Sequence, residues 1–410
     1  MTASTLLPPQ APGRLPLLGH VASLARDPLA FFKDLRDRGP VVRIGLGTHP
    51  VYVVTRPDLV RRLYVADQHL FDKGGPLIDK VRTYAGNGLA TCPAHDHARQ
   101  RPLMQPAFHR DRLRNYTAVV RDALAEIMAS WAPGQLVRLE REVHRLTTLV
   151  TSRTLISAEM GGPAAVQIAN ALPDITQGLY WRMLVPGRFF PKLPLPVNRR
   201  FDEQTARTKR AVNDVVDHYR RTGIDYGDLL SLVLAACERE PDPRQAVYDQ
   251  VITILTASVE TAASVMVWSM RVLEQFPSIG ERVLAEYREV VGSGIPTHDH
   301  IADLTYTQCV ITEALRLYPP VWLVSRVTTD DIDWSDGRIP AGADVFFSPY
   351  ALHRDPEVFP DPDRFDPDRW APDRVTSEQR EGFFGFGAGR RKCIGDTLAM
   401  NEATVTVAAL

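Results

Sequence analysis

The chain holds 410 residues, of which 44% are hydrophobic and 24% charged, the proportions of an ordinary soluble globular protein rather than a disordered or polytopic membrane one. Its 48 lysines and arginines balance 49 aspartates and glutamates, so there is no global basic field to hold nucleic acid. Four cysteines, Cys92, Cys237, Cys309 and Cys393, follow neither a disulfide framework nor zinc spacing and point to a reducing, cytoplasmic setting.

Pro8, Pro9, Pro12 and Pro16 interrupt any apolar run near the start, so no signal peptide is expected. Two β-branched runs, 41–46 and 51–55, flank a turn at 47–50 and read as an antiparallel hairpin. From 57 to 317 apolar residues recur at helical spacing, which predicts helices over 57–67, 96–104, 111–131, 140–160, 164–181, 201–221, 226–237, 244–276, 278–291 and 298–317. Gly/Pro joints such as 133–134, 161–163 and 292–296 separate several of them. The stretch 251–270 is long enough to cross a membrane, yet Glu260 at its middle would cost about 2.5 kcal/mol or more in lipid. A helix buried in protein is expected there, and no transmembrane segment. A strand over 344–348 follows, then an irregular, proline-rich stretch from 353 to 395 of the kind that serves a function, and a last helix from near Ile394. No repeat or linker divides residues 1–410, which read as one mainly α domain with small β-sheets.

The strongest local signal is Phe386-Gly387-Ala388-Gly389-Arg390-Arg391-Lys392-Cys393-Ile394-Gly395. A tight glycine loop delivers a cysteine to the start of a helix, where the dipole and free N–H groups favour thiolate. Gly387 and Gly389 permit close turns, Gly395 removes a side chain, and Arg391 offers a donor fork suited to a carboxylate. A lone cysteine in such a loop is more often a buried structural thiol. The complete spacing Phe-x-x-Gly-x-Arg-x-Cys-x-Gly, however, resembles the haem-ligand signature of the cytochrome P-450 family, and the resemblance runs from about residue 12 to 400.

That resemblance implies the triangular helical haem-thiolate fold, haem b with Cys393 as the iron ligand, dioxygen as co-substrate, and electrons from NAD(P)H through an external ferredoxin reductase and ferredoxin. It implies roles for charges that alone would read as solvated. His97, Arg101, Arg326 and Arg391 become partners of the haem propionates, with Phe386, Gly387 and Gly395 beside the cofactor. Glu313, Arg316 and Arg364, the last within Pro362-Asp363-Arg364-Phe365, become a buried structural ion network that fixes the cysteine loop.

Glu260 and Thr261 sit mid-way along the helix 244–276, about 50 Å long. On periodicity alone they could be a satisfied acid and a threonine bonded back to its own helix. The resemblance makes them the catalytic pair that manages protons near dioxygen, with Ser258 standing where the family usually has a glycine. Segments 74–89, 178–196 and 322–324, with Leu255 and Val259, would surround the pocket. They contribute Leu77, Ile78, Val81, Leu179, Tyr180, Trp181, Met183, Trp322 and Leu323, which suggests an apolar small-molecule substrate.

Stretches 72–79, 88–93 and 105–110 are similar to the bacterial pentalenene-oxygenase group, implying a sesquiterpene-like terpene of secondary metabolism. Arg110, Arg112, Arg390 and Lys392 are the expected basic face for an acidic ferredoxin. The chain ends too soon after Cys393 for the family's terminal strands, so a truncated chain or an open pocket side is expected. Two other classes stay open: an O2-independent haem-thiolate isomerase that rearranges peroxides, which Glu260-Thr261 disfavours, and a non-catalytic haem-binding sensor.

Overall fold

Runs of valine and isoleucine build the sheet that anchors one side of the molecule. In the computed structural model, which describes residues 7–155, 158–184, 190–226, 228–334 and 337–410, β1 (Val41–Leu46) and β2 (His49–Val54) pair antiparallel with Val41 opposite Val54. Further strands are β3 (Phe71–Asp72), β4 (Val324–Thr328), β5 (Ile332–Trp334), β6 (Gly337–Ile339) and β7 (Asp344–Phe347). The main sheet runs β1-β2-β7-β4-β3, while β5 and β6 form a separate hairpin. Tyr52 pairs in parallel with Val345, which pairs on its other side with Arg326. Phe71 then pairs with Thr328, so the sheet carries Asp72 and Arg326, distant in sequence, to one edge. Of these strands the sequence pattern predicts only β1, β2 and β7; the rest are two to five residues long, below the reach of a period-2 signal.

The helical body begins with two short helices that periodicity does not reveal, α1 (Val21–Arg26) and α2 (Pro28–Asp34). It continues through α3 (Pro57–Tyr64), α4 (Gly75–Ala85), α5 (Ala94–Met104), α6 (Arg110–Ala129) and α7 (Leu139–Leu155). Next come α8 (Ala158–Leu184), α9 (Pro196–Thr222), α10 (Leu229–Cys237), α11 (Pro243–Gln275) and α12 (Pro277–Val290). The last are α13 (Thr305–Leu317), α14 (Pro349–Leu352), α15 (Ser377–Gly382) and α16 (Asp396–Ala409). Two boundaries correct the sequence reading. Helix α8 passes unbroken through the expected joint at 161–163 and packs along α9, tertiary context prevailing over the low propensity of Gly and Pro. The helix expected from 298 starts at Thr305, because Thr297 and His300 close a capping box around a single 3-10 turn.

Helix α11 is the centre of the fold. Ala262, Ala263 and Met266 pack with Val143, Leu146 and Val150 of α7, Val120 and Leu124 of α6, Ile311 and Leu315 of α13, and Val405 and Val407 of α16. Its other half, Val247 to Leu255, packs with Tyr84 of α4, Ile175 of α8, Phe201 and Val212 of α9 and Val233 of α10. It is the one described helix long and apolar enough to cross a membrane, and half of its apolar window is buried inside the protein.

Candidate active site

The cysteine loop closes on itself. The Cys393 amide donates to the Phe386 carbonyl at 2.9 Å, Gly387 N–H to Phe384 at 3.0 Å, and Lys392 N–H to Gly389 at 3.1 Å. Gly387 and Gly389 have φ near +65°, and a Cβ on Gly389 would collide with the Tyr64 carbonyl, so only glycine lets the loop lie against α3. Tyr64 backs the loop, stacked on Phe384 and edge-on to Phe347. Gly395 caps α16; a Cβ there would make only ordinary contact with Phe108.

The expected helix-dipole stabilisation of thiolate is not what dominates at Cys393. Burial pushes the thiol up and Asp396 adds to the rise, against the Gly395 amide, Arg101 and Lys392. Yet Cys393 stays solvent-accessible. A metal bound at Cys393 would favour the thiolate.

A buried network holds this loop, with one correction to the sequence reading. Glu313 and Arg316, both fully buried, pair bidentately at 2.8 Å. The third side chain is Arg369, 3.5 Å from Glu313 Oε1, and not Arg364. Arg364 is exposed and offers only its carbonyl, at 3.0 Å, to Arg316. The Pro367-Asp368-Arg369-Trp370 turn directs its arginine inward where 362–365 directs Arg364 outward, and Trp370 Nε1 completes the Glu313 shell at 2.8 Å. Arg316 also donates to the carbonyls of His353 and Pro362. His353, absent from the sequence reading, joins the network to the loop: its ring bonds the Arg316 carbonyl and the Phe384 amide.

On the sheet edge, cations converge. Arg326 is buried, lies 5.5 Å from the Tyr64 ring and forms no ion pair among the described residues. Arg391 bonds the Cys92 carbonyl at 2.8 Å and Asp72 at 3.0 Å. Arg101 donates to the Lys392 carbonyl. His97 is buried, and burial, then Arg391, Arg101, Lys73 and Arg326, hold its pKa down to about 4. Lys73 is the fifth member, missed from sequence. Burial, Arg326 and Arg391 push its pKa well below the usual lysine value. Its only sequence signal is rarity, as one of six lysines. Three arginines, Lys73 and a neutral His97 converge here, and Arg391–Asp72 is the one ion pair they make among the described residues, so the set offers spare donors to anions. Two propionates beside an accessible cysteine fit that demand, and these residues suit haem.

On α11, Thr261 Oγ1 donates back to the Ala257 carbonyl and Glu260 lies 3.6 Å from His144 Nε2 of α7. Glu260 is 37% exposed, so it is not the charge sealed in a helix core that periodicity suggests. Ala257 is exposed although it sits mid-way along the most central helix, and Thr261 is partly so. Ser258 turns away from Ala257: it bonds the Ile254 carbonyl at 2.6 Å and receives Thr151 Oγ1 at 3.3 Å. The substituted glycine position therefore points at α7.

The expected pocket residues divide. Val81 and Leu179 join the cluster around Leu255, and Leu89 packs there too; Ile78 and Val259 are buried. Leu77, Trp322 and Leu323 pack instead on the sheet cluster of Phe32, Val42 and Phe346, and Trp181 is 44% exposed. The side chains of Tyr180 and Met183, and residues 185–189, lie outside the described residues.

The cytochrome P450 family profile matches residues 8–410. The chain is similar to cyclooctatin synthase of Streptomyces melanosporofaciens, 41% identical over 404 residues that cover 98% of this chain and 88% of that one. Cyclooctat-9-en-7-ol 5-monooxygenase of the same organism is 40% identical, covering 98% and 87%. Pentalenene oxygenase of Streptomyces avermitilis is 37% identical, covering 100% and 91%. Among solved structures, a retinoic acid-bound cyanobacterial CYP120A1 superposes with a TM-score of 0.86 at 25% identity, covering 98% and 91%.

Proposed function

The chain belongs to the cytochrome P450 family, and on that premise we propose that it inserts one atom of dioxygen into a C–H bond of a terpenoid of secondary metabolism. The observation that carries the reading is the accessible Cys393 beside Arg101, Arg326, Arg391, Lys73 and a neutral His97, which make one ion pair, Arg391–Asp72, among the described residues. The names of two relatives, cyclooctat-9-en-7-ol 5-monooxygenase and pentalenene oxygenase, denote oxygenation, and with cyclooctatin synthase, at 37–41% identity, they support the substrate class.

Haem, when bound, activates dioxygen with electrons that originate in NAD(P)H. In the proposed mechanism Cys393 Sγ would bind the haem iron, and His97, Arg101, Arg326, Arg391 and Lys73 would hold the two propionates. The Thr261 hydroxyl, resting on the Ala257 carbonyl, is the last proton donor to the oxygen side. Glu260, half in solvent and beside His144, brings each proton to it. Val81, Leu89, Leu179, Leu255 and Val259 orient an apolar skeleton and exclude water.

Exposed Arg390 and Lys392, with Arg110 and Arg112, suit an acidic ferredoxin in the cytoplasm as the electron donor. Reducing the purified protein under carbon monoxide tests the premise: a strongly red-shifted Soret band is expected, and a histidine-type spectrum would overturn it. Mass spectrometry of a terpene panel, with ferredoxin and its reductase, tests the substrate class.

A further inference from the structure

Between α4 and α5 the chain passes through Gly86-Asn87-Gly88-Leu89, and the start of α11 holds this loop by its backbone. Asp249 Oδ2 accepts the Asn87 amide at 2.8 Å, and Gln250 Oε1 accepts the Leu89 amide at 3.1 Å. Both acceptors are buried and are themselves fixed. Gln245 donates to Asp249 Oδ1 at 2.6 Å, and Gln250 donates to Gln100 of α5 at 2.8 Å. Gln100 reaches back to the Asn87 carbonyl at 3.2 Å.

The glycines report the same closeness independently. Gly86 has a φ of +62°, and a Cβ there would collide with Asp249 Oδ1; a Cβ on Gly88 would collide with Thr253 Oγ1 and the Asp249 carbonyl. The loop thus lies flush on α11 with no room for a side chain between. Further along it, the Cys92 carbonyl accepts from Arg391, so one clamped segment runs from the pocket residue Leu89 to the cation cradle.

We infer that Asp249 and Gln250 are positioning residues for substrate selection, fixing the loop that presses Leu89 into the pocket. The inference rests on the monooxygenase reading of that pocket. Each acts through a backbone amide of the loop, Asn87 or Leu89, and not by touching the substrate. A carboxylate is used at Asn87 because a charged acceptor bonds an amide about twice as strongly as a neutral one. Burial raises the Asp249 pKa, while the Asn87 amide, Gln245 and Lys209 oppose the rise.

The test uses haem-loaded wild type, Asp249→Ala, Gln250→Met and the conservative Asp249→Asn. Each is titrated with imidazole and with 4-phenylimidazole, followed by the haem spectrum. Imidazole reports the iron alone, whereas the phenyl ring needs the pocket wall. Asp249→Ala and Gln250→Met are expected to lower the preference for 4-phenylimidazole about tenfold, and Asp249→Asn to restore it. Hydrogen exchange of the peptide spanning 86–92 should rise in the two disruptive variants. An unchanged preference, or equal losses for both azoles, overturns the inference. No azole shift in wild type would instead overturn the haem reading on which it stands. If Asp249→Ala does not fold, Gln250→Met decides on the same criteria.

Discussion

His353 and Phe384 are joined by a hydrogen bond from the Phe384 amide to His353 Nε2, at 2.8 Å. Because Nε2 accepts, the proton is on Nδ1, which donates to the Arg316 carbonyl at 3.0 Å. The neutral ring ties the buried ion network to the residue two positions before Phe386. Burial is the main reason its pKa falls to about 3. His353→Ala strands a buried amide and a buried carbonyl, at about 1–3 kcal/mol each, so thermal unfolding should move down by several degrees and haem content should drop. The pH dependence has a definite sign. The folded pKa of about 3 lies below the unfolded value of about 6.5, so the unfolded chain takes up the proton first. This stabilisation is complete above pH ~6.5 and lost as pH falls towards 3, at up to about 1.4 kcal/mol per unit. Denaturant midpoints between pH 4 and 7 should fall more steeply in wild type than in His353→Gln; parallel curves would remove the assignment.

Arg369 and Arg364 should respond oppositely to truncation. Arg369→Ala takes a guanidinium from the fully buried Glu313 and should cost about 3 kcal/mol, with loss of haem retention. Arg364→Ala removes an exposed side chain and keeps the carbonyl that Arg316 uses, so its effect should stay within about 0.5 kcal/mol. Urea unfolding of the two variants side by side decides between them, and the reverse order would restore the Arg364 assignment.

These two residues also show what a sequence can and cannot disclose. The cysteine loop was legible because its constraints are local: fixed spacing, two left-handed glycines and one thiol. The Glu313–Arg316 pair was legible for the same reason, at three residues' separation on one helix. Its third partner was not, since 362–365 and 367–370 offer nearly the same Pro-x-Arg pattern and only the three-dimensional path of an irregular segment picks one. Lys73, His353 and Asp249 act across the fold, through β3, a turn and a backbone amide. No periodicity records such partners. Long helices were read well because α11 and its neighbours repeat one apolar face over many turns, while β3 to β6 are too short to carry a period.

Lys73 should matter to cofactor retention and little to the bare fold. Without an anion its charge opposes those of Arg326 and Arg391, so Lys73→Met should leave the stability of the haem-free chain unchanged or slightly higher. The haem-loaded protein should lose one propionate partner, and transfer of haem to apomyoglobin should accelerate about tenfold. Lys73→Arg should recover most of the loss. Equal transfer rates in wild type and Lys73→Met would show that Lys73 serves the fold alone.

Thr261 and Ser258 separate proton delivery from helix geometry. Thr261→Ala deletes a hydroxyl whose present bond is to its own helix, so stability should change by less than about 1 kcal/mol. Product formed per NAD(P)H consumed should nevertheless fall several-fold, the electrons appearing as hydrogen peroxide. Ser258→Gly should do the opposite. It loses the link to Thr151 and adds backbone freedom in a helix, costing about 1 kcal/mol. Its side chain points at α7 and away from Ala257, so coupling should stay as in wild type. Measuring unfolding midpoints and peroxide yield in both variants tests each half of the argument. Unchanged coupling in Thr261→Ala would end the proton-delivery role, and a large coupling change in Ser258→Gly would mean that this position shapes the oxygen side after all.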